Sequence, residues 1–291
     1  MEYCKNIQEL HQEDVAIAGG KGASLGELLK AGLAVPPGFV VLTRAFDKFL
    51  EQNKLDIKIS IALSGVDIKN IKTFEKVSME IQSLIESANL PVEIVQEISQ
   101  YFQQLDNKFV AIRSSATSED GSSAAWAGQL NSYLNTTEKE LTKNIKNCWT
   151  SLFTPRAIFY RLEKGLAKNK ISVAVVVQKM IQAEISGVAF SVHPVTQNHK
   201  HMIIEAAPGL GEAMVSGTIT PDAYVIDKRS LDIIEITLAT KNQILDKAEI
   251  FNLARLVNKI EQHYGFPCDI EWAKEGGQFY ILQSRAITTL K

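Results

Sequence analysis

The sequence predicts an α+β fold of two interlocked lobes with a cleft between them, and three observations lead there. Between Leu55 and Gln104 apolar residues recur three and four apart (Ile81, Leu84, Ile85; Ile94, Val95, Ile98), the spacing of amphipathic helices. From Ser172 onward the chain turns into short apolar runs separated by turn residues, the pattern of strands. It closes on a hairpin, Cys268–Ala273 and Gln278–Arg285 around the turn KEGG. The approximate lobes are 1–170 and 171–291.

Taken in order, the glycines of Gly19–Gly22 lead into a helix with apolar positions Leu25, Leu28, Leu29 and Leu33. VPPGFVVLT (Val35–Thr43) reads as a turn and then a buried strand, because Pro-Pro-Gly cannot sit inside one. A helix follows at about Arg44–Gln52, and the amphipathic stretch to Gln104 carries little chemistry, so it reads as scaffold or lid. FVAIR (Phe109–Arg113) is a short strand running into a polar loop, Ser114–Gln129, whose length without a clear period marks it as functional. LNSYLN is a strand, and Thr137–Arg161 is helical with a break near Thr154-Pro155. Ser172–Ile181 and Ser186–Val192 are expected to form an antiparallel pair. His201–Ala207 is another strand, and Pro208–Asp227 is a glycine-rich turn ending in one. A helix at Lys247–Tyr264 precedes the hairpin.

Composition narrows the function. Hydrophobic residues make up 45% and charged residues 22%, ordinary globular values that exclude a disordered or fibrous chain. Acids number 33 and bases 31, so no basic excess is present to bind a nucleic-acid backbone. The longest apolar stretch, Val173–Val177, is too short to span a bilayer, and no membrane association is expected. The opening MEYCKNIQEL is polar and acidic, and is expected to be neither a signal nor a transit peptide. Cys4, Cys148 and Cys268 are scattered and form no CxxC pair, which fits a reducing, cytoplasmic compartment. No Cys/His cluster has metal-ligand spacing, so any metal must be hard and oxygen-bound.

Three constellations could carry chemistry. On the closing hairpin, alternation puts Asp269 and Glu271 on one face and Gln283 and Arg285 on one face of the partner strand. In an even-summed register all four point the same way, with Ile270, Trp272 and Leu282 on the opposite face. Carboxylates with an amide oxygen suit Mg²⁺ already held by phosphates, and the guanidinium suits a phosphate oxygen. The residues alone leave this open against an exposed sheet face closed by a salt bridge. The Gly19-Gly20-Lys21-Gly22 loop before a helix suits an anion, or is a tight turn with a solvated lysine; it is not a Walker A loop. Arg113 at a strand end, followed by hydroxyls, grips phosphate or closes a turn neutralised by Glu119 and Asp120. No GxSxG elbow occurs, and none of the five histidines sits in a phospho-accepting setting.

The blocks GGKGASLGELLKAGLAVPPGFVV, VAIRSSATSEDGSSAAWAGQLNSYLN, SLFTPRAIFYR, SGVAFSVHPVT, PGLGEAMVSGTITPDAYVI and DIEWAKEGGQFYILQSRAITTL follow one another in this order. In them the chain resembles the N-terminal ATP-binding domain of the phosphoenolpyruvate synthase, pyruvate phosphate dikinase and rifampicin phosphotransferase family. The likeness covers nearly the whole chain, and ITTL after QSR makes the synthase and rifampicin branches look closer than the dikinase branch. It implies a single ATP-grasp domain over 1–291, whose two lobes clamp a nucleotide. It also implies that Lys21 and Arg113 hold phosphates, that Gly128 approaches them by its backbone, and that Ser132 adds a hydroxyl. Gln178 and Met180 lie by the nucleotide, Glu271 and Gln283 bind Mg²⁺ with Asp269 as a further candidate, and Arg285 completes the catalytic set with Lys21 and Arg113. Ala125-Trp126, His193 and Asp222-Ala223 depart from the family pattern, and none touches the implied phosphate ligands.

The function implied is binding of Mg-ATP and transfer of a phosphoryl group from its β-position to a histidine, with AMP and phosphate as overall products. That histidine is expected on a swivelling domain or protein, in cis or in trans, which passes the group to pyruvate or another small-molecule hydroxyl. The phosphohistidine and substrate domains are expected to be absent from this chain. Two other readings stand beside it: an ATP-grasp ligase that forms an acyl phosphate and releases ADP, and a nucleotide-binding subunit without transfer.

Overall fold

The computed structural model describes residues 1–67, 69–117, 131–163, 172–215 and 217–290. The chain gathers into two compact units, Met1–Gly26 with Pro37–Met180 and Glu27–Pro36 with Ile181–Lys291. Each is built on an antiparallel sheet, so the architecture is the expected α+β class with one sheet per unit.

The first unit carries strands β1 (Cys4–Asn6), β2 (Gly38–Val41), β3 (Val110–Ala116), β4 (Ser132–Thr136) and β5 (Val173–Lys179), in the spatial order β1-β2-β5-β3-β4. Its helices are α1 (Val15–Lys30) up to Gly26, α2 (Thr43–Gln52), α3 (Leu55–Ser64), α4 (Ile71–Ser87), α5 (Val92–Gln104), α6 (Glu138–Thr150) and α7 (Pro155–Glu163). One sheet face is mostly apolar: Phe39, Val41, Val110, Ile112, Val173, Val175 and Val177 join a core with Phe49, Ile81, Ile98, Ile145 and Trp149. Trp149 lies against Phe46 and Phe49, with ring centroids 5.4 and 5.1 Å away. The amphipathic stretch is therefore scaffold in this structure, its apolar stripes supplying the core.

Strand β5 corrects the sequence reading. It pairs with β2 and β3, not with the strand that begins at Ile185. A run of five apolar residues asks for burial on both faces, and the centre of a sheet provides it. β5 thus belongs to the first unit, past the boundary expected near residue 170. Strand β3 also runs further than expected, to Ala116, taking the first part of the polar loop into the sheet. β1 was not foreseen.

The second unit is a six-stranded sheet of β6 (Ile185–Phe190), β7 (His201–Pro208), β8 (Asp222–Asp227), β9 (Ile233–Thr237), β10 (Cys268–Glu275) and β11 (Gln278–Ala286), in the order β11-β10-β6-β7-β8-β9. Helix α8 (Glu212–Val215) is a single turn; α9 (Lys247–Tyr264) packs on β10 and β7. Reciprocal bonds between Asp246 and Glu249 (2.9 and 2.8 Å) cap the start of α9, and Gly265 at φ 74° ends it. Ile270, Ala189, Ile204 and Tyr224 lie in one cross-strand row, all fully buried. Gly187 lies opposite Trp272 because any Cβ there would overlap the indole and the Glu205 carbonyl.

A β-bulge between Glu271 and Trp272 shifts the hairpin register by one residue. Ile281, not Leu282, therefore lies opposite Trp272 and is buried, which corrects the apolar face assigned to Leu282. The edge strand β9 was also missed; its exposed side chains give it little burial pattern.

Asp222 explains how the segment after β9 is held. Its carboxylate is fully buried. It accepts from the amides of Ala239 (2.8 Å) and Ile244 (2.9 Å) and from the Tyr224 hydroxyl (3.0 Å). Asp222→Ala leaves these donors without their acceptor and is expected to destabilise the protein by about 2–4 kcal/mol. The check is the urea midpoint of unfolding; an unchanged midpoint would sink this account of the segment.

Candidate nucleotide site

In the first unit the glycine-rich loop and strand β3 are joined. Gly19 takes φ 68° and ψ 172°, a left-handed conformation that interrupts α1, so the regular helix starts at the loop. The buried Ser115 hydroxyl donates to the Ala18 carbonyl (2.8 Å) and accepts from the Gly22 amide (3.2 Å). Lys21, half-buried, rides on this tethered turn.

Arg113 sits two residues before Ser115 on β3, and alternation gives them the same face. Across the sheet Arg113 is opposite Ser132 on β4 and Val176 on β5, while Ala111 is opposite Gln178. Arg113, Ser132 and Gln178 therefore share the face away from the apolar core, and Ser115 tethers the Lys21 turn to it. Met180 follows the end of β5, buried, its amide bonded to the Phe109 carbonyl (3.0 Å). Gly128 lies outside the described residues, as does most of the expected polar loop.

In the second unit the hairpin register is even-summed at its polar end: Asp269 is opposite Arg285, and Glu271 is opposite Gln283. The four side chains thus share one face. Arg285 donates from Nε (2.9 Å) and Nη2 (2.7 Å) to one oxygen of Asp269. Burial holds the Asp269 carboxyl above its ordinary range, the Arg285 charge pulls it down, and Glu271 pushes it up again.

Glu205 joins this group and was missed. The rows Glu271–Val188–Glu205 and Asp269–Phe190–Ile203 run across β10, β6 and β7 on the same face. Burial raises the Glu205 carboxyl, and the charge of Asp269 adds to it. Alternation along His201–Ala207 puts Glu205 on the less buried face, but only the strand order shows that this face is the hairpin's polar one.

This donor set fits a hard divalent cation shared with phosphates. Among the described residues no group of three or more His, Cys, Asp or Glu forms a metal cage. Mg²⁺ does not ask for one, since it keeps waters and takes one or two protein oxygens beside phosphate. A carboxylate facing an amide oxygen, as Glu271 faces Gln283, offers that. Burial pushes the Cys148 and Cys268 thiols up to about 12. No described helix is long and apolar enough to cross a membrane.

Comparison with known proteins places the chain in a family. The model of the pyruvate phosphate dikinase AMP/ATP-binding domain matches residues 15–245 and 237–291. A probable phosphoenolpyruvate synthase of Methanocaldococcus jannaschii is 42% identical over 100% of this chain and 27% of its own length. The phosphoenolpyruvate synthase of Pyrococcus furiosus is 37% identical over 99% of this chain and 44% of its own. A rifampicin phosphotransferase of Bacillus cereus is 36% identical over 98% of this chain and 36% of its own. The chain thus spans less than half the length of these relatives. With its two antiparallel sheets and a family match from residue 15 to residue 291, the chain belongs to the pyruvate phosphate dikinase AMP/ATP-binding domain family.

Proposed function

We propose that the chain is the Mg-ATP-binding module of a phosphotransferase. It passes a phosphoryl group from the β-position of ATP to a histidine on a swivelling domain, in cis or in trans, with AMP and phosphate as overall products. That partner hands the group to pyruvate or another small-molecule hydroxyl. The observation that carries this reading is the register of β10 and β11, which sets Glu271 against Gln283 and Asp269 against Arg285 on one face.

Phosphoryl transfer asks the protein for position and charge more than for covalent chemistry. Lys21, Arg113 and Arg285 neutralise phosphate oxygens, and Ser132 and the Gly128 backbone add donors. Glu271 and Gln283 hold Mg²⁺, with Asp269 orienting Arg285 and available as a further ligand. Gln178 and Met180 contact the nucleotide beyond its phosphates. The metal supplies charge neutralisation at the phosphates. The acceptor histidine is read as belonging to that partner; within this chain His193 accepts from the Val195 and Thr196 amides in a turn, His201 bonds Asn198, and His263 bonds Glu27.

Lys21→Ala, Arg113→Ala and Arg285→Ala are each expected to lose roughly 2–4 kcal/mol of transition-state stabilisation, a fall of about 30- to 1,000-fold in kcat/KM for AMP formation. An Arg285→Ala variant at the native rate refutes its assignment. Glu271→Ala and Gln283→Ala should raise the Mg²⁺ concentration needed for ATP binding, read by titration calorimetry.

Product analysis tests the reaction itself. With labelled ATP and a partner domain bearing the acceptor histidine, label from the β-position should appear on that histidine, with AMP released. ADP formed without any such partner would favour the acyl-phosphate ligase. Tight Mg-ATP binding with no transfer to any partner would leave a nucleotide-binding subunit.

A further inference from the structure

We propose that Ser115 is a positioning residue, acting through Lys21 to set the phosphate grip of the site. The proposal rests on the reading of Lys21 as a phosphate-binding residue. Lys21 sits in the helical turn that resumes after the break at Gly19, and with glycine at positions 19, 20 and 22 that turn has little helix propensity of its own. Ser115 ties it down. Its hydroxyl donates to the Ala18 carbonyl (2.8 Å) before the glycines and accepts from the Gly22 amide (3.2 Å) directly after Lys21. The two bonds straddle the lysine. They need one group that donates and accepts at once, which a hydroxyl provides and an alanine side chain cannot.

The turn is shaped to admit this hydroxyl. A Cβ at Gly19 would overlap the Ser115 carbonyl and hydroxyl, and the φ of 68° at Gly19 suits glycine. Ser115 is fully buried, so its bonds are shielded from competing water. Its neighbour Ser114 cannot substitute, because it faces the other way and bonds the Asn131 and Cys148 carbonyls. One strand thus sets both cations. Arg113 is placed by its own position on β3, and Lys21 by a hydroxyl on the same face about 7 Å further along.

A double-mutant cycle on the whole chain separates this role from general packing. Ser115→Ala is made in the native background and in Lys21→Ala, and calorimetry reads the affinities for Mg-ATP and for adenosine. In the native background Ser115→Ala should weaken Mg-ATP roughly tenfold, by loss of the bonds that hold Lys21 in place, and leave adenosine unchanged. In the Lys21→Ala background it should cost nothing further. Ser115→Cys, which keeps the volume and weakens both bonds, serves the same cycle should the alanine variant not fold. An equal loss in both backgrounds, or an equal loss for adenosine, makes Ser115 a packing residue and overturns the proposal. A Lys21→Ala chain that binds Mg-ATP normally instead overturns the phosphate role of Lys21 itself, so the two failures are told apart.

Discussion

The pairing of β10 with β11 is the constraint on which the second unit's chemistry depends. Strand side chains alternate, so a slip of one residue would turn Asp269 and Glu271 to the buried face and expose Ile270. That slip is opposed by the row Ile270–Ala189–Ile204–Tyr224, whose burial is complete and whose apolar area faces α9. The apolar side of the sheet therefore fixes the polar side. The bulge after Glu271 sharpens the point: it falls just beyond the carboxylates, leaving their register intact while letting Ile281 rather than Leu282 meet Trp272.

The first unit reaches a comparable result by different means. Its sheet is apolar on the helical side, and the opposite face carries Arg113, Ser132 and Gln178. Lys21 comes from a glycine-rich helical turn just past the break at Gly19, where helix propensity is low. Burying the tether costs the Ser115 hydroxyl its water, and the two hydrogen bonds offset that. Rigid strands place one cation and a hydroxyl clamp places the other.

Much of this was legible in the sequence where the signal is local. The hairpin reads from period-two alternation around KEGG, and α9 reads from its capping pair Asp246 and Glu249 and its closing Gly265. The even-summed register of Asp269, Glu271, Gln283 and Arg285 was one of the registers the sequence left open; at the turn Glu275 faces Gln278 in the odd-summed one, and the bulge after Glu271 brings the polar end into the even-summed one. What was not legible depends on which strands become neighbours. Val173–Lys179 gave no clue that its partners would be β2 and β3, since a uniformly apolar strand has no face to match. Glu205 could be seen to alternate but not to share a face with Glu271, because β6 lies between them in space and before both in sequence. Strand β9, with its exposed side chains, carries no burial pattern to read. Ser115 stood in a polar stretch that looked like loop until the sheet claimed it.

The electrostatics of each unit's residue set show what kind of group would relieve it. On the second unit, burial above all holds the carboxyls of Asp269 and Glu205 above their ordinary range, with the charge of Glu271 adding at Asp269 and that of Asp269 adding at Glu205, and Arg285 bonds Asp269. A carboxylate group strained in this way gains from a divalent cation, which replaces repulsion between like charges with attraction to a common centre. On the first unit Lys21 and Arg113 form a cationic set that gains from phosphate oxygens.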